Sequence, residues 1–308
     1  MEASITFKGV GKTISNDILL ANLSFGVEKG STFVLVGQNG SGKTLVLKLL
    51  IGLIEKDIGS IYVHGKDVGT RSIETRSICG YMPQIINLDD QITIIENLLI
   101  YAQLYGLKYS EAKKNCMHWA EILEFSHLLN KFSNDLSYGE QRKILFARSL
   151  LHDPEIILLD EPTTGMDPQC RNKIWNVVDK LQRHKTIIFA TQNFSEAERY
   201  ADRIAILHEG NIKMDGNLDR LIETTHGLTR YSLIFSEIPP KSFMLELEKY
   251  PRIRRPKLSG LELEFYSRER KQFFNVLKLA LEHNLADMDT TICSLRDLYL
   301  GLTDGGLE

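Results

Sequence analysis

Apolar residues along the chain fall into short runs separated by turn residues. Ile5-Thr6-Phe7, Leu23-Ser24-Phe25-Gly26-Val27 and Thr32-Phe33-Val34-Leu35-Val36 read as strands, with a turn at Lys29-Gly30 before the third. An apolar helix is predicted from about Lys43 to Leu53. Residues 92–131 carry helical spacing: Ile95, Leu98, Leu99, Ala102 and Tyr105 share one face, and Cys116, Trp119, Ala120 and Leu123 share another. Those aromatics read as core packing. A further helix starts at Ser137. Ile156-Ile157-Leu158-Leu159 is apolar throughout, the pattern of a strand covered on both faces of a parallel sheet. Thr186–Ala190 and Arg203–Leu207 are two more strands with helices between. This alternation predicts a mostly parallel α/β sheet over the first ~220 residues.

Beyond about Gly227 the pattern changes. Tyr231–Phe235 reads as a strand, Ser242–Lys249 as a helix, 257–266 as a strand or hairpin and Glu269–His283 as an amphipathic helix. A short strand near Met288 and a last helix from Ser294 follow. That order approximates βαββαβ, a small ferredoxin-like α+β unit. The expected domains are 1–225, with a helical part at about 85–150, and 226–308.

Composition narrows the class. The 308 residues are 43% hydrophobic and 25% charged, with a formal net charge of −3, so the strongly basic footprint of a nucleic-acid binder is missing. Cys79, Cys116, Cys170 and Cys293 are scattered, with no paired or histidine-clustered spacing, and read as reduced thiols. The N-terminus lacks the apolar core of a signal peptide. The longest apolar run, Leu45 to Ile54, is broken by Lys48 and Gly52 and falls short of the ~20 residues that span a bilayer. A soluble chain is expected, held at a membrane only through a partner.

Two motifs carry chemistry. Gly37-Gln38-Asn39-Gly40-Ser41-Gly42-Lys43-Thr44 fits G-x-x-x-x-G-K-[ST] at every position, directly after a strand and at the start of a helix. Glycines let the backbone fold into a nest of N–H groups facing an anion, and the helix N-terminus adds positive dipole. Lys43 is expected to reach the β- and γ-phosphates of ATP, and the Thr44 hydroxyl to bind Mg²⁺. The second motif, Ile156 to Glu161, carries the acidic pair Asp160-Glu161 to the C-terminal end of a buried strand, where doubly wound sheets place ligands. Asp160 is expected to hold Mg²⁺ through water, and Glu161 to polarise the attacking water.

Leu136-Ser137-Tyr138-Gly139-Glu140-Gln141-Arg142 resembles the LSGGQ signature of the ABC ATPases. Ser137 with Glu140 is also a capping-box pattern, so Ser137 begins the helix and offers free N–H groups to an anion. Tyr81-Met82-Pro83-Gln84 resembles the Q-loop of that family, and Pro162-Thr163-Thr164-Gly165-Met166-Asp167-Pro168 its D-loop. The resemblance covers residues 1–220 and implies the P-loop ABC-ATPase fold with a helical subdomain. It implies a head-to-tail dimer in which the P-loop residues Gly37, Asn39, Gly40, Ser41, Gly42, Lys43 and Thr44 hold ATP. Ser137 and Gly139 of the partner copy would face the γ-phosphate, and Asp167 would cross the interface. Gln84 would touch Mg²⁺ or the attacking water.

The chain departs from the family pattern at several positions. Tyr138 replaces a glycine, Glu140 a glutamine, and Gln192 stands where a switch histidine is usual. Glutamine can donate a hydrogen bond to a γ-phosphate but carries no proton, so slowed hydrolysis is expected. Ile14 falls where an aromatic usually stacks on adenine. Asn87-Leu88-Asp89, Arg171, Trp175 and Ser294–Leu300 resemble the drug-resistance, ABC-2 and A-subfamily lipid-exporter branch. That resemblance implies an ATPase at the cytoplasmic face of a membrane, driving export through a separate polytopic subunit, with a second ATPase copy and no nucleic acid. The alternatives are a soluble ABC protein of ribosomes or DNA, and a low-turnover regulatory subunit. The basic run Arg252–Lys257 reads as a solvated turn or as a contact for anionic headgroups.

Overall fold

A computed structural model describes residues 3–303 apart from 71, 183, 224–228, 248, 251 and 268. The chain divides between Asp215 and Gly216 into two compact units. The boundary expected near 225, and the change of pattern at Gly227, lie outside the described residues.

In the first unit, β1 (Ala3–Ile14), β2 (Asp17–Glu28) and β3 (Thr32–Val36) are followed by helix α1 (Lys43–Leu50). Then come β4 (Ile58–Val63), β5 (Lys66–Asp67), α2 (Ser72–Ser77) and β6 (Cys79–Met82). Helices α3 (Ile94–Leu104), α4 (Tyr109–Ile122) and α5 (Tyr138–Leu150) form a packed group. They precede β7 (Ile156–Asp160), α6 (Pro168–Leu181), β8 (Thr186–Thr191), α7 (Phe194–Tyr200), β9 (Arg203–His208) and β10 (Asn211–Gly216).

Two sheets result. The larger has the order β10-β9-β3-β8-β7-β6, and β9, β3, β8, β7 and β6 run parallel. Its central strands are buried along their whole length, as their unbroken apolar runs require. The expectation of a mostly parallel sheet holds for these strands but not for the N-terminal ones. Those pair antiparallel in a separate sheet of order β2-β1-β4-β5. The sequence reading saw only the apolar middle of β1 and β2. Their 12-residue length comes from cross-strand pairing with register shifts, which local composition does not announce. Phe7, Phe25 and Phe33 stack in series, with centroids 4.4 and 5.1 Å apart, and tie the two sheets together.

The second unit contains α8 (Leu218–Glu223), β11 (Thr229–Phe235), α9 (Lys241–Leu247), β12 (Arg254–Ser259), β13 (Glu262–Ser267), α10 (Arg270–Leu281), β14 (Leu285–Ile292) and α11 (Leu295–Thr303). Its sheet is antiparallel, in the order β12-β13-β11-β14. This is the βαββαβ arrangement of a ferredoxin-like unit with one helix at each end of it. Tyr231, Leu233, Phe235, Leu263 and Phe265 face a core shared with Phe243 and Phe273. Only Arg252 and Ile253 of the basic run fall outside a strand as expected: Arg254 opens the edge strand β12, whose register against β13 shifts between Arg254 and Lys257, around Pro256.

The four cysteines are free thiols. No helix among the described residues is long and apolar enough to cross a membrane.

Candidate functional site

The site lies at the C-terminal ends of β3, β7 and β8, neighbours in the parallel sheet. Gly37 leaves β3, and its N–H donates to Thr191 O (3.3 Å). A β-carbon at Gly37 would stand 2.2 Å from Leu207 O, so only glycine lets the loop leave the sheet here. Gly42 caps α1 with φ +106° and no side-chain hydrogen bond, leaving the first turn's N–H groups of α1 open toward the loop. The residues predicted for the phosphate cradle are therefore brought together as expected.

Lys43 is buried and donates to the carbonyls of Gly37 (2.8 Å) and Gln38 (3.0 Å). Its ammonium stands 3.4 Å from Glu161 Oε1, an ion pair without a formed hydrogen bond. Burial lowers the Lys43 pKa, partly offset by the facing Glu161. Asp160 is fully buried and accepts from the Thr44 hydroxyl at Oδ1 (3.0 Å) and from the Tyr81 hydroxyl at Oδ2 (3.5 Å). Burial raises its pKa against the pull of that hydroxyl.

Glu161 sits at φ +48°, a left-handed conformation for a non-glycine residue. Its N–H donates to Ala190 O (2.9 Å). Its Oε2 accepts from the Thr164 hydroxyl (2.9 Å) and the Gln192 N–H (3.3 Å). Oε1 has no hydrogen-bond partner although it is buried. The carboxylate is thus fixed through one oxygen and presents the other toward the Lys43 ammonium.

Gln84 and Asn39 line a cleft of about 500 Å³ together with Gly40, Gly42, Lys43, Thr44 and Glu161. Ile14 and Leu19 line the same cleft and give it an aliphatic side. Ser137, Gly139 and Asp167 are not among the described residues that line it. Ser137 caps α5: its N–H and hydroxyl donate to Glu140 Oε2 (2.8 and 2.7 Å), and its Oγ accepts from the Glu140 N–H (3.4 Å). The charge of Glu140 is therefore spent on its own cap, and the Ser137 hydrogen bond lowers its pKa. Asp167 caps α6, accepting from the N–H groups of Gln169 (2.9 Å) and Cys170 (3.0 Å). The Gln192 side chain is exposed, and its backbone rather than its amide meets Glu161.

Two residues to which the motifs assign no role hold this arrangement. Arg142 of α5 is fully buried. Its Nη1 donates to the carbonyls of Pro83 and Gln84 (both 2.7 Å), and its Nη2 to those of Asp160 (3.2 Å) and Glu161 (2.6 Å). One guanidinium thus joins the segment after β6 to the acidic pair. Glu196, buried in the first turn of α7, accepts from the Thr163 and Thr191 hydroxyls, the latter at 3.1 Å. It fastens the segment after Glu161 to the residue before Gln192. Arg142 stood inside the quoted signature, but only its burial reveals its role.

A glycine-rich anion nest, a lysine and two carboxylates at the ends of parallel strands define a P-loop nucleotide hydrolase. A family model described as ABC transporter matches residues 20–164. A Nod factor export ATP-binding protein I of Rhizobium sp. (strain N33) is 34% identical over 100% of this chain and 99% of its own. The protein of that name in Burkholderia orbicola (strain AU 1054) is 39% identical over 73% of this chain and 74% of its own. Among solved structures, an ATP binding subunit of an ABC transporter superposes with TM-score 0.67 at 27% identity, over 72% of this chain and 93% of that chain. A dimeric bacterial ABC transporter cassette gives TM-score 0.65 at 26% identity, over 70% and 98%. The chain belongs to the ABC transporter family and is one of its ATP-binding ATPase subunits.

Proposed function

We propose that the chain powers export as the ATP-hydrolysing half of a transporter, working as a head-to-tail dimer at the cytoplasmic face of a membrane beside a separate membrane-spanning subunit. The observation that carries this is the split of the site. The cradle, Lys43 and Glu161 share one cleft, while Ser137, Gly139 and Asp167 lie outside it. A second copy presented head to tail would bring those three residues over the γ-phosphate, with the N-terminus of α5 facing the anion. The relatives named for Nod factor export support the direction of transport.

In this reading Gly37, Asn39, Gly40, Ser41 and Gly42 cradle the phosphates, and Lys43 moves from the Gly37 and Gln38 carbonyls onto the β- and γ-oxygens. Glu161 orients water through Oε1 while Thr164 and Gln192 hold Oε2. The Thr44 hydroxyl, the buried Asp160 carboxylate and Gln84 suit Mg²⁺: they offer oxygen ligands, and burial of Asp160 raises its pKa, so a cation beside it would favour its charged form. When bound, that cation would neutralise charge developing between the β- and γ-phosphates.

The test is affinity purification of tagged Glu161→Gln protein from detergent-solubilised native membranes with ATP. A stoichiometric polytopic membrane protein is expected. Ribosomal or DNA-bound partners, or a dimer alone, would overturn the transporter reading.

A further inference from the structure

Tyr138 is a departure from the family signature, and the structure gives it a neighbour. A β-carbon placed on Gly165 would stand 3.0 Å from Tyr138 Cε1, 3.6 Å from Cδ1 and 3.7 Å from Cζ. The ring therefore lies directly on Gly165, whose φ of +76° already excludes most side chains. One residue further, a β-carbon on Gly139 would meet Asp167 Oδ2 at 3.3 Å and Cys170 Sγ at 3.4 Å. The start of α5 and the turn Thr163–Asp167 are thus packed against each other at two successive positions. That turn carries Thr164, whose hydroxyl holds Glu161 Oε2 at 2.9 Å.

We propose that Tyr138 is a positioning residue: its ring, seated on Gly165, makes the signature turn and the Thr163–Asp167 turn move as one body, so that nucleotide meeting the signature is felt at Glu161 through Thr164. A glycine at 138 would remove the contact on Gly165 and keep that at Gly139. The ring replaces a loose contact with a broad one, because an aromatic face on a bare glycine buries apolar area without displacing backbone. Closely packed elements shift together rather than deform, so displacement of Ser137 is passed to Gly165 and its neighbour Thr164. The inference rests on the head-to-tail reading, since in that arrangement the nucleotide touching Ser137 belongs to the other copy and Glu161 serves this one.

The experiment is steady-state MgATP hydrolysis by the full chain as wild type, Tyr138→Phe, Tyr138→Ala, Thr164→Val and Tyr138→Ala/Thr164→Val, with ATP binding and urea unfolding measured alongside. Tyr138→Phe keeps the ring and is expected to match wild type. Tyr138→Ala is expected to lower kcat about fivefold, with KM, ATP affinity and the urea midpoint unchanged. The double variant is expected to be no slower than the slower single one, since both changes cut the same connection. Unchanged kcat in Tyr138→Ala, or losses that multiply in the double variant, would overturn the proposal. A wild type that does not turn over MgATP would instead overturn the functional reading beneath it.

Discussion

Lys43 Nζ stands 3.4 Å from Glu161 Oε1 while it donates to the carbonyls of Gly37 and Gln38. The ammonium that the proposed function sends to phosphate is held by its own loop and by a facing carboxylate. Burial disfavours its charge, so it needs these partners until an anion arrives. In the proposed function, Lys43→Ala removes a charged donor to the β- and γ-oxygens. ATP affinity should fall about 10- to 100-fold, the range of one to two charge-assisted hydrogen bonds. Isothermal titration measures this directly, and an affinity within a factor of two of wild type would remove Lys43 from the phosphate site.

Arg142 joins four carbonyls from two segments. Arg142→Met removes a donor from each of those four carbonyls, and the expected cost is about 3 kcal/mol of unfolding free energy. Arg142→Lys should not restore it, because an ammonium cannot span the fork that Nη1 and Nη2 occupy. Urea titration checks both. A lysine variant as stable as wild type would show that charge alone suffices.

Gln192 contributes its N–H to Glu161 Oε2 and leaves its amide exposed. The backbone contact survives substitution, so Gln192→His should keep the carboxylate in place and add a side chain able to carry a proton toward the γ-phosphate. Turnover should rise. Identical turnover in the two proteins would mean that this position is silent in hydrolysis.

His152 stacks on Tyr105 with ring centroids 3.9 Å apart, and its Nε2 lies 3.1 Å from Cys79 O. Burial lowers its pKa from 6.5 to about 4. The unfolded chain takes up a proton near the ordinary value, and the folded one only near the lowered value. Stability therefore falls as pH drops through that window and levels off below it, by about 1–3 kcal/mol from this residue. Urea midpoints at about pH 7 and about pH 4.5 for wild type and His152→Gln should converge or diverge accordingly: the variant loses less. Equal losses would refute the assignment.

The sequence made the chemistry legible wherever it is written locally. The cradle from Gly37 to Thr44, the strand ending in Asp160-Glu161 and the Ser137–Glu140 cap all depend on residues a few positions apart, and the structure has each of them. The strand Thr32–Val36 and the helix start at Ser137 fall where the apolar run and the capping box predict. What was not legible is set by distant partners. The full length of β1 and β2 depends on their pairing with each other, on β4 beside β1, and on register shifts. The buried roles of Arg142 and Glu196 depend on carbonyls and hydroxyls that the fold brings from 58 and 33 residues away in sequence.

The central claim is that one dimer closes two ATP sites and that Glu161 orients the water in each. Its most direct test pairs MgATP turnover with analytical sedimentation for wild type and Glu161→Gln, with and without ATP. The account predicts turnover in wild type, a loss of at least about 100-fold in Glu161→Gln, and a stable ATP-dependent dimer of the variant. Undiminished turnover in the variant, or a variant that binds ATP yet stays monomeric, would contradict it.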